Sequence, residues 1–327
     1  MKTRLTDLLG IEHPVMCAGM GGVSYHRLVA AVSAAGGFGC LGASTMSSDD
    51  MVDEIRGVRA LTEAPFGVDL LTALPDRLMD DVAALIREGA SVFVAGLGVP
   101  RDAIALCHEH NVLVASMCGK VRHAIAAVDA GCDLVIAQGT EAGGHTGQVA
   151  TLPLVPQVVD AVAGRVPVVA AGGIVDGRGL AAALVLGADG VWVGTRFIAT
   201  PEARGASGYK DALLRTAEDG TVITRSYSGK PMRAIRNRWT EHHDEHPEEV
   251  LPFPQQLLAS MQAGAFHLGA DETTTGVDPD REGFPAGQGV GAIDELVPAG
   301  DLVGAFVAEA EAAITEAARS FGRPAPR

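Results

Sequence analysis

Between Pro14 and Phe197 the chain repeats one pattern: a short apolar run, a stretch with helical spacing, then glycine. The runs Val15–Ala18, Gly39–Gly42, Phe66–Leu71, Val92–Ala95, Val112–Ser116, Leu134–Ala137, Val166–Ala171 and Gly190–Val193 read as eight buried strands. Each is bounded by turn signals and is too short for a buried helix. Helical spacing appears between them at Tyr25–Ala35, Ser48–Leu61, Asp76–Arg87, Arg101–Glu109, Lys120–Ala130, Val155–Ala163 and Gly177–Leu186. Several of these stretches end alike, with Gly36, Gly89, Gly131 or Gly187 where a left-handed C-cap precedes the next strand. Eight such units at a period of about 20–25 residues close a barrel. No Gly-x-Gly-x-x-Gly follows the first strand, which disfavours a doubly wound open sheet. The expected fold class is therefore α/β, a (β/α)8 TIM barrel.

After Phe197 the texture changes. Residues 198–292 are polar and irregular, with helical pieces at Lys210–Thr216 and Pro254–Ala263, and read as an inserted, mostly helical lid after strand eight. The histidine-rich run Trp239–Glu249 fits no standard metal spacing and reads as a solvated charged face, so no metal is expected. Residues 293–327 supply an alanine-rich helix, Asp301–Ser320, whose Leu302, Phe306 and Ile314 form an inner face that completes the barrel. The organisation expected is thus a barrel core over 1–197, a lid over 198–292 and a closing helix in 293–327, with the tail Gly322–Arg327 frayed.

Bulk properties narrow the function. A formal charge of −15 with no basic patch argues against nucleic acid or an anionic membrane as partner. No apolar run approaches the roughly 20 residues of a membrane span. Met1–Gly10 has scattered charge and no apolar segment of a secretion signal. The five cysteines show no Cys-x-x-Cys pair or regular framework, as suits a reducing cytoplasm. A small-molecule partner suits what remains, and a homodimer is left open.

In barrels of this kind the chemistry sits at the C-terminal ends of the strands, and phosphate is commonly held after strands seven and eight. Strand seven here runs into Gly172-Gly173, and strand eight into Gly194-Thr195, which bring backbone N–H groups and a hydroxyl toward an anion. The anion would belong to a phosphorylated substrate or to a cofactor such as FMN. Strand one ends in Gly19-Met20-Gly21, with open amides and a polarizable thioether suited to a flat ring, although core packing explains Met20 equally well. Strand three places Asp69 at the mouth, as a hydrogen-bond acceptor or a helix cap. Strand six opens into Gln138-Gly139-Thr140-Glu141-Ala142-Gly143-Gly144-His145-Thr146-Gly147, where His145 stands among glycines without a bulky neighbour.

These segments carry a family likeness. His13-Pro14-Val15-Met16 with Gly19-Met20-Gly21, the 138–147 stretch, Ala171-Gly172-Gly173-Ile174, Gly194-Thr195-Arg196-Phe197, Ser228-Gly229-Lys230-Pro231 and Ala286-Gly287-Gln288-Gly289 resemble the nitronate monooxygenases, formerly 2-nitropropane dioxygenases. Two departures stand out: Ala18-Gly19-Met20 replaces the Ala-Pro-Met of many relatives, and Asp69 replaces an asparagine. The resemblance implies an FMN-containing barrel with His145 as the catalytic residue, taking an α-proton from a nitroalkane or holding the nitronate anion. It implies cofactor binding by Gly19, Met20, Gly21, Asp69, Gln138, Gly144, Gly172, Gly173, Gly194 and Thr195; Gln288 in the lid either faces the substrate in the same cavity or is a structural amide. The implied reaction oxidises an alkyl nitronate with molecular oxygen to a carbonyl compound and nitrite. The same barrel resembles FMN-dependent enoyl-ACP reductases and NAD(P)H:quinone reductases, so hydride transfer from NAD(P)H to a quinone or enoyl thioester is the alternative. A non-catalytic flavin- or phosphate-binding protein is the third.

Overall fold

The computed structural model describes residues 1–72, 75–96, 98 and 100–321. Among these, the strands in chain order are β1 (Val15–Cys17), β2 (Gly39–Gly42), β3 (Phe66–Leu71), β4 (Val92–Gly96), β5 (Leu113–Cys118), β6 (Leu134–Gln138), β7 (Gly144–His145), β8 (Val168–Ala171), β9 (Gly190–Val193), β10 (Thr221–Thr224) and β11 (Met232–Ile235). Eight of them pair in parallel in the order β1-β9-β8-β6-β5-β4-β3-β2. The sheet closes on itself just before β2, where Cys17 N donates to Phe38 O at 2.8 Å and Phe38 N donates to Val15 O at 2.9 Å. This is the expected α/β barrel, and its eight strands coincide with the eight apolar runs.

Side-chain alternation makes two cores. Met16, Phe38, Cys40, Val92, Val94, Leu134, Ile136, Val169 and Trp192 point inward and fill the barrel axis. Their neighbours Val15, Leu41, Val68, Phe93, Val135 and Val191 point outward against the helices. The N-terminal end of the barrel is stoppered by the helix Arg4–Leu9, whose Leu5 and Leu9 join the inner core. Arg4 anchors that stopper: its Nε and Nη2 donate to the two carboxylate oxygens of Asp189 at 2.9 and 2.8 Å, and Val168 N donates to the same carboxylate at 3.0 Å. With one end plugged, access to the axis is from the C-terminal ends of the strands.

The glycines expected to cap helices do so: Gly36, Gly89, Gly131 and Gly187 all have left-handed φ. One helix differs from its expected span. It runs Thr151–Val162 rather than Val155–Ala163, because its first turn is capped from elsewhere in the chain. Thr151 N donates to the Glu141 carboxylate at 2.8 Å, and Thr151 Oγ1 donates to it at 2.9 Å. Pro153 falls in that first turn, where the missing N–H costs no hydrogen bond.

The 198–292 segment holds the helices Tyr209–Arg215, Arg238–Glu245 and Gln255–Gln262. It also holds β10 and β11, which the sequence reading passed over. They join β7 in a three-stranded antiparallel sheet of order β10-β11-β7. Ala299–Ser320 packs back on the barrel through buried Leu302, Phe306 and Val307, while Ile314 is partly buried. The tail 322–327, expected to fray, lies outside the described residues. All five cysteines are buried thiols; burial pushes the Cys107 thiol up to about 12. Among the described residues no helix is long and apolar enough to cross a membrane.

Candidate active site

The C-terminal ends of the barrel strands and the 198–292 segment enclose a cavity of about 930 Å³, at the upper end of the range for ligand pockets. Gly19, Met20 and Gly21 after β1, Asp69 on β3, Gln138, Gly144 and His145 from the β6 side, Gly172 and Gly173 after β8, and Gly194 and Thr195 after β9 all line it. Eleven positions read from five separate segments of sequence therefore converge on one space. Gln288 does not: its side chain is exposed outside the lining, and its backbone N donates to Glu141 O at 2.9 Å. The neighbours Gly287 and Gly289 line the cavity in its place.

The glycine-rich stretch after β6 is shaped by close backbone approaches. A Cβ on Gly143 would lie 2.8 Å from the carbonyl carbon of Ala286, so two loops touch there without room for a side chain. The chain then turns into β7, where Gly144 and His145 pair antiparallel with Arg233 and Met232 of β11. Gln138 Nε2 donates to His145 O at 2.9 Å and braces the same strand. Thus the loop expected around His145 is a short strand held on both sides.

His145 faces the cavity and is reached by solvent there, yet protein crowds the imidazole on its other sides. That desolvation, with the Lys230 ammonium as the second cause, holds its pKa below the ordinary imidazole value. Nε2 lies 2.9 Å from Ser228 Oγ. Ser228 Oγ accepts from Lys230 N and donates to Lys230 O, both at 3.3 Å; with its proton so engaged it can accept an Nε2–H. In the neutral tautomer so defined, Nδ1 carries the lone pair. Ser228 and Lys230 were visible in sequence only as part of a family-like segment, with no chemical role attached; β7–β11 pairing is what brings them to His145.

Asp69 sits at the barrel mouth beneath Gly19, where a Cβ would come within 2.3 Å of Asp69 Cβ. No described side chain donates to its carboxyl group, and desolvation pushes its pKa well above the usual carboxylate range. The neutral acid is a hydrogen-bond donor as well as an acceptor.

On the far wall, Gly172 and Gly173 take left-handed φ of 108° and 72°, turning backbone toward the cavity. A Cβ on Gly194 would meet only Met20 Sδ at 3.4 Å and Ala18 Cβ at 3.7 Å, so it would occupy cavity space rather than collide with protein. Thr195 Oγ1 accepts from Gly287 N at 2.9 Å, which leaves its proton free to donate. Glycine amides and one hydroxyl, with no side-chain carboxylate among them, form a donor set suited to a phosphate.

Comparison with known proteins places this arrangement in context. Residues 2–309 match the family model described as nitronate monooxygenase. A Mycobacterium tuberculosis protein named (3aS,4S,5R,7aS)-5-hydroxy-7a-methyl-1-oxo-octahydro-1H-indene-4-carboxyl-CoA dehydrogenase is 45% identical over 242 residues, covering 74% of this chain and 68% of that one. A probable nitronate monooxygenase of Staphylococcus aureus is 33% identical over 320 residues, covering 84% of this chain and 90% of its own. Among solved structures, FabK from Thermotoga maritima matches with a TM-score of 0.86 at 35% identity, over 98% of this chain and 99% of that one. A nitroalkane oxidase from Streptomyces ansochromogenes matches with a TM-score of 0.82 at 33% identity, over 96% and 100%.

Proposed function

We propose that this chain, which belongs to the nitronate monooxygenase family, is an FMN-dependent oxidoreductase that oxidises alkyl nitronates with molecular oxygen to a carbonyl compound and nitrite. The observation that carries the reading is His145: an imidazole kept neutral, oriented by Ser228, and open to a glycine-lined cavity with a lysine beside it.

The residues fit FMN. Gly172, Gly173, Gly194 and Thr195 would hold its phosphate, and the space above Gly194 that a Cβ would fill suits a ligand group. Gly19, Met20, Gly21 and Asp69 would take the ring and ribityl chain, with Gln138 and Gly144 at the edge of the site. FMN, when bound, supplies the two-electron redox chemistry. The chain's own residues do the rest. His145 Nδ1 takes the α-proton of a nitroalkane, a step worth about 10²–10⁴-fold for a well-placed base. The Lys230 ammonium favours the resulting anion.

Anaerobic mixing of the FMN-loaded protein with propyl nitronate, and separately with NADH and NADPH, tests this reading through the flavin absorbance. Reduction by the nitronate alone supports it. Bleaching by a nicotinamide nucleotide, with nitronate inert, overturns it.

A second reading, oxidation or reduction of an acyl thioester, is favoured by the shape of the cavity. Its lining continues past Lys120 and His123 along Ala126, Ala127 and Ala130 of the helix Val121–Ala130, a helical rise of roughly 10 Å from His123 to Ala130. Such an arm suits a long chain with a polar head at the cationic rim. The names of two relatives, a CoA dehydrogenase and FabK, support the same class.

A further inference from the structure

We infer that His267 is a second substrate-facing residue, fixed by Glu282 so that Nε2 presents a lone pair to the cavity and selects substrates bearing an amide N–H or hydroxyl donor. The inference rests on the cavity being the FMN site and deepens the acyl-thioester reading, since thioester arms carry such donors and simple nitroalkanes do not.

Both residues line the cavity, on segments the sequence reading left without a role. Glu282 is almost wholly buried, at 2% exposure. One of its oxygens, Oε1, accepts from the backbone N of His267 at 2.8 Å; the other, Oε2, lies 2.7 Å from His267 Nδ1. A backbone N–H can only donate, so Oε1 is an acceptor; with Glu282 as the carboxylate, Oε2 is one too, and the ring proton is on Nδ1. In the tautomer with its proton on Nδ1, His267 has its lone pair on Nε2, to which no described residue donates a hydrogen bond. Its side chain is a quarter exposed, toward the cavity.

Closure of the fold does not need the ring. Gly283 N already donates to Ala265 O at 2.9 Å, tying the two segments by backbone. Phe266 packs on Tyr227 with ring centroids 5.6 Å apart, holding the segment from its other side. A buried carboxylate that orients an imidazole is then left for what enters the cavity. An acceptor held in this way favours a ligand that donates to it, and one that lacks a donor loses that hydrogen bond.

The probe pair is S-butyryl-N-acetylcysteamine and its N-methyl analogue, which keeps the thioester and the amide carbonyl but has no N–H. FMN loading of the full chain is titrated first. Dissociation constants are then read from the flavin absorbance, and thermal shifts of the FMN-free chain give an independent measure. The wild type is expected to bind the N–H thioester about tenfold tighter than the N-methyl form, the worth of one hydrogen bond. In His267→Phe the ratio should fall to within about twofold of unity. Glu282→Gln should do the same, because an amide nitrogen cannot accept the Nδ1–H and the ring tautomer is lost. A wild-type ratio near one, or no binding of either thioester, overturns the inference. So does a ratio unchanged in both variants, even with a lowered Tm, for that outcome assigns the pair a structural role alone. Failure of the wild type to load FMN would appear in the first titration and counts against the parent reading instead.

Discussion

Ser228 Oγ lies 2.9 Å from Nε2 of His145, although 83 residues separate the two in the chain. The contact exists because β7 and β11 pair, and it engages Nε2 while leaving Nδ1 without a protein partner among the described residues. Ser228 is itself buried, whereas His145 is open to the cavity.

Ser228→Ala removes that partner without adding bulk. One hydrogen bond is worth about 0.5–1.5 kcal/mol, so kcat/KM with a neutral nitroalkane, whose α-proton His145 must take, should fall by up to about tenfold. Steady-state kinetics with the FMN-loaded variant checks this. An unchanged kcat/KM would show that Ser228 does not orient the ring.

Lys230→Met should move the acid limb of the kcat/KM profile. Burial and the Lys230 charge hold His145 below 6.5, so the neutral base persists to lower pH than a free imidazole would allow. Removing the charge raises the pKa, and activity should then be lost at a higher pH than in the wild type. A pH–rate series from 4.5 to about 8 reads the shift, which must be toward the ordinary imidazole value near 6.5. A limb that stays put or moves down contradicts the placement of Lys230.

Asp69→Asn tests the neutral acid at the barrel mouth. Its folded pKa is raised above the unfolded value, so its contribution to stability is fully present below the unfolded pKa, near 3.9. That contribution is lost as pH rises through the folded value. Asparagine does not titrate, so the variant should gain Tm relative to the wild type as pH rises from 4 to 8. No difference is expected at the acid end. Thermal melts of the FMN-free proteins across that range decide it, and a constant offset would mean the carboxyl group is not held neutral.

Gly194→Ala separates folding from cofactor binding. The added methyl meets only Met20 Sδ at 3.4 Å and Ala18 Cβ at 3.7 Å, both ordinary contacts, so Tm should stay within about 2 °C. The same methyl enters the cavity beside Thr195, and FMN affinity should fall at least tenfold in a fluorescence titration. Retained affinity would put the phosphate elsewhere.

Much of this site was legible in the sequence. The strand ends that reach the cavity, from Gly19 to Thr195, could be read because a closed parallel barrel sends all its strand C-termini to one face. Gln288 was misplaced for a local reason: its backbone bond to Glu141 turns the side chain outward while Gly287 and Gly289 face in. The helix start at Thr151 was missed because its cap, Glu141, lies ten residues upstream across a loop. Strands β10 and β11 escaped notice because four-residue strands in a polar segment carry little periodicity of their own.

The sequence by itself determined the architecture and the face on which chemistry occurs. Apolar periodicity and glycine caps act locally, and eight repeats leave few ways to bury their surfaces. Only the tertiary structure decided which polar groups meet His145, and that desolvation raises the pKa of Asp69. Those properties depend on distances between segments far apart in the chain and on how much water reaches each group, and neither is a function of local sequence.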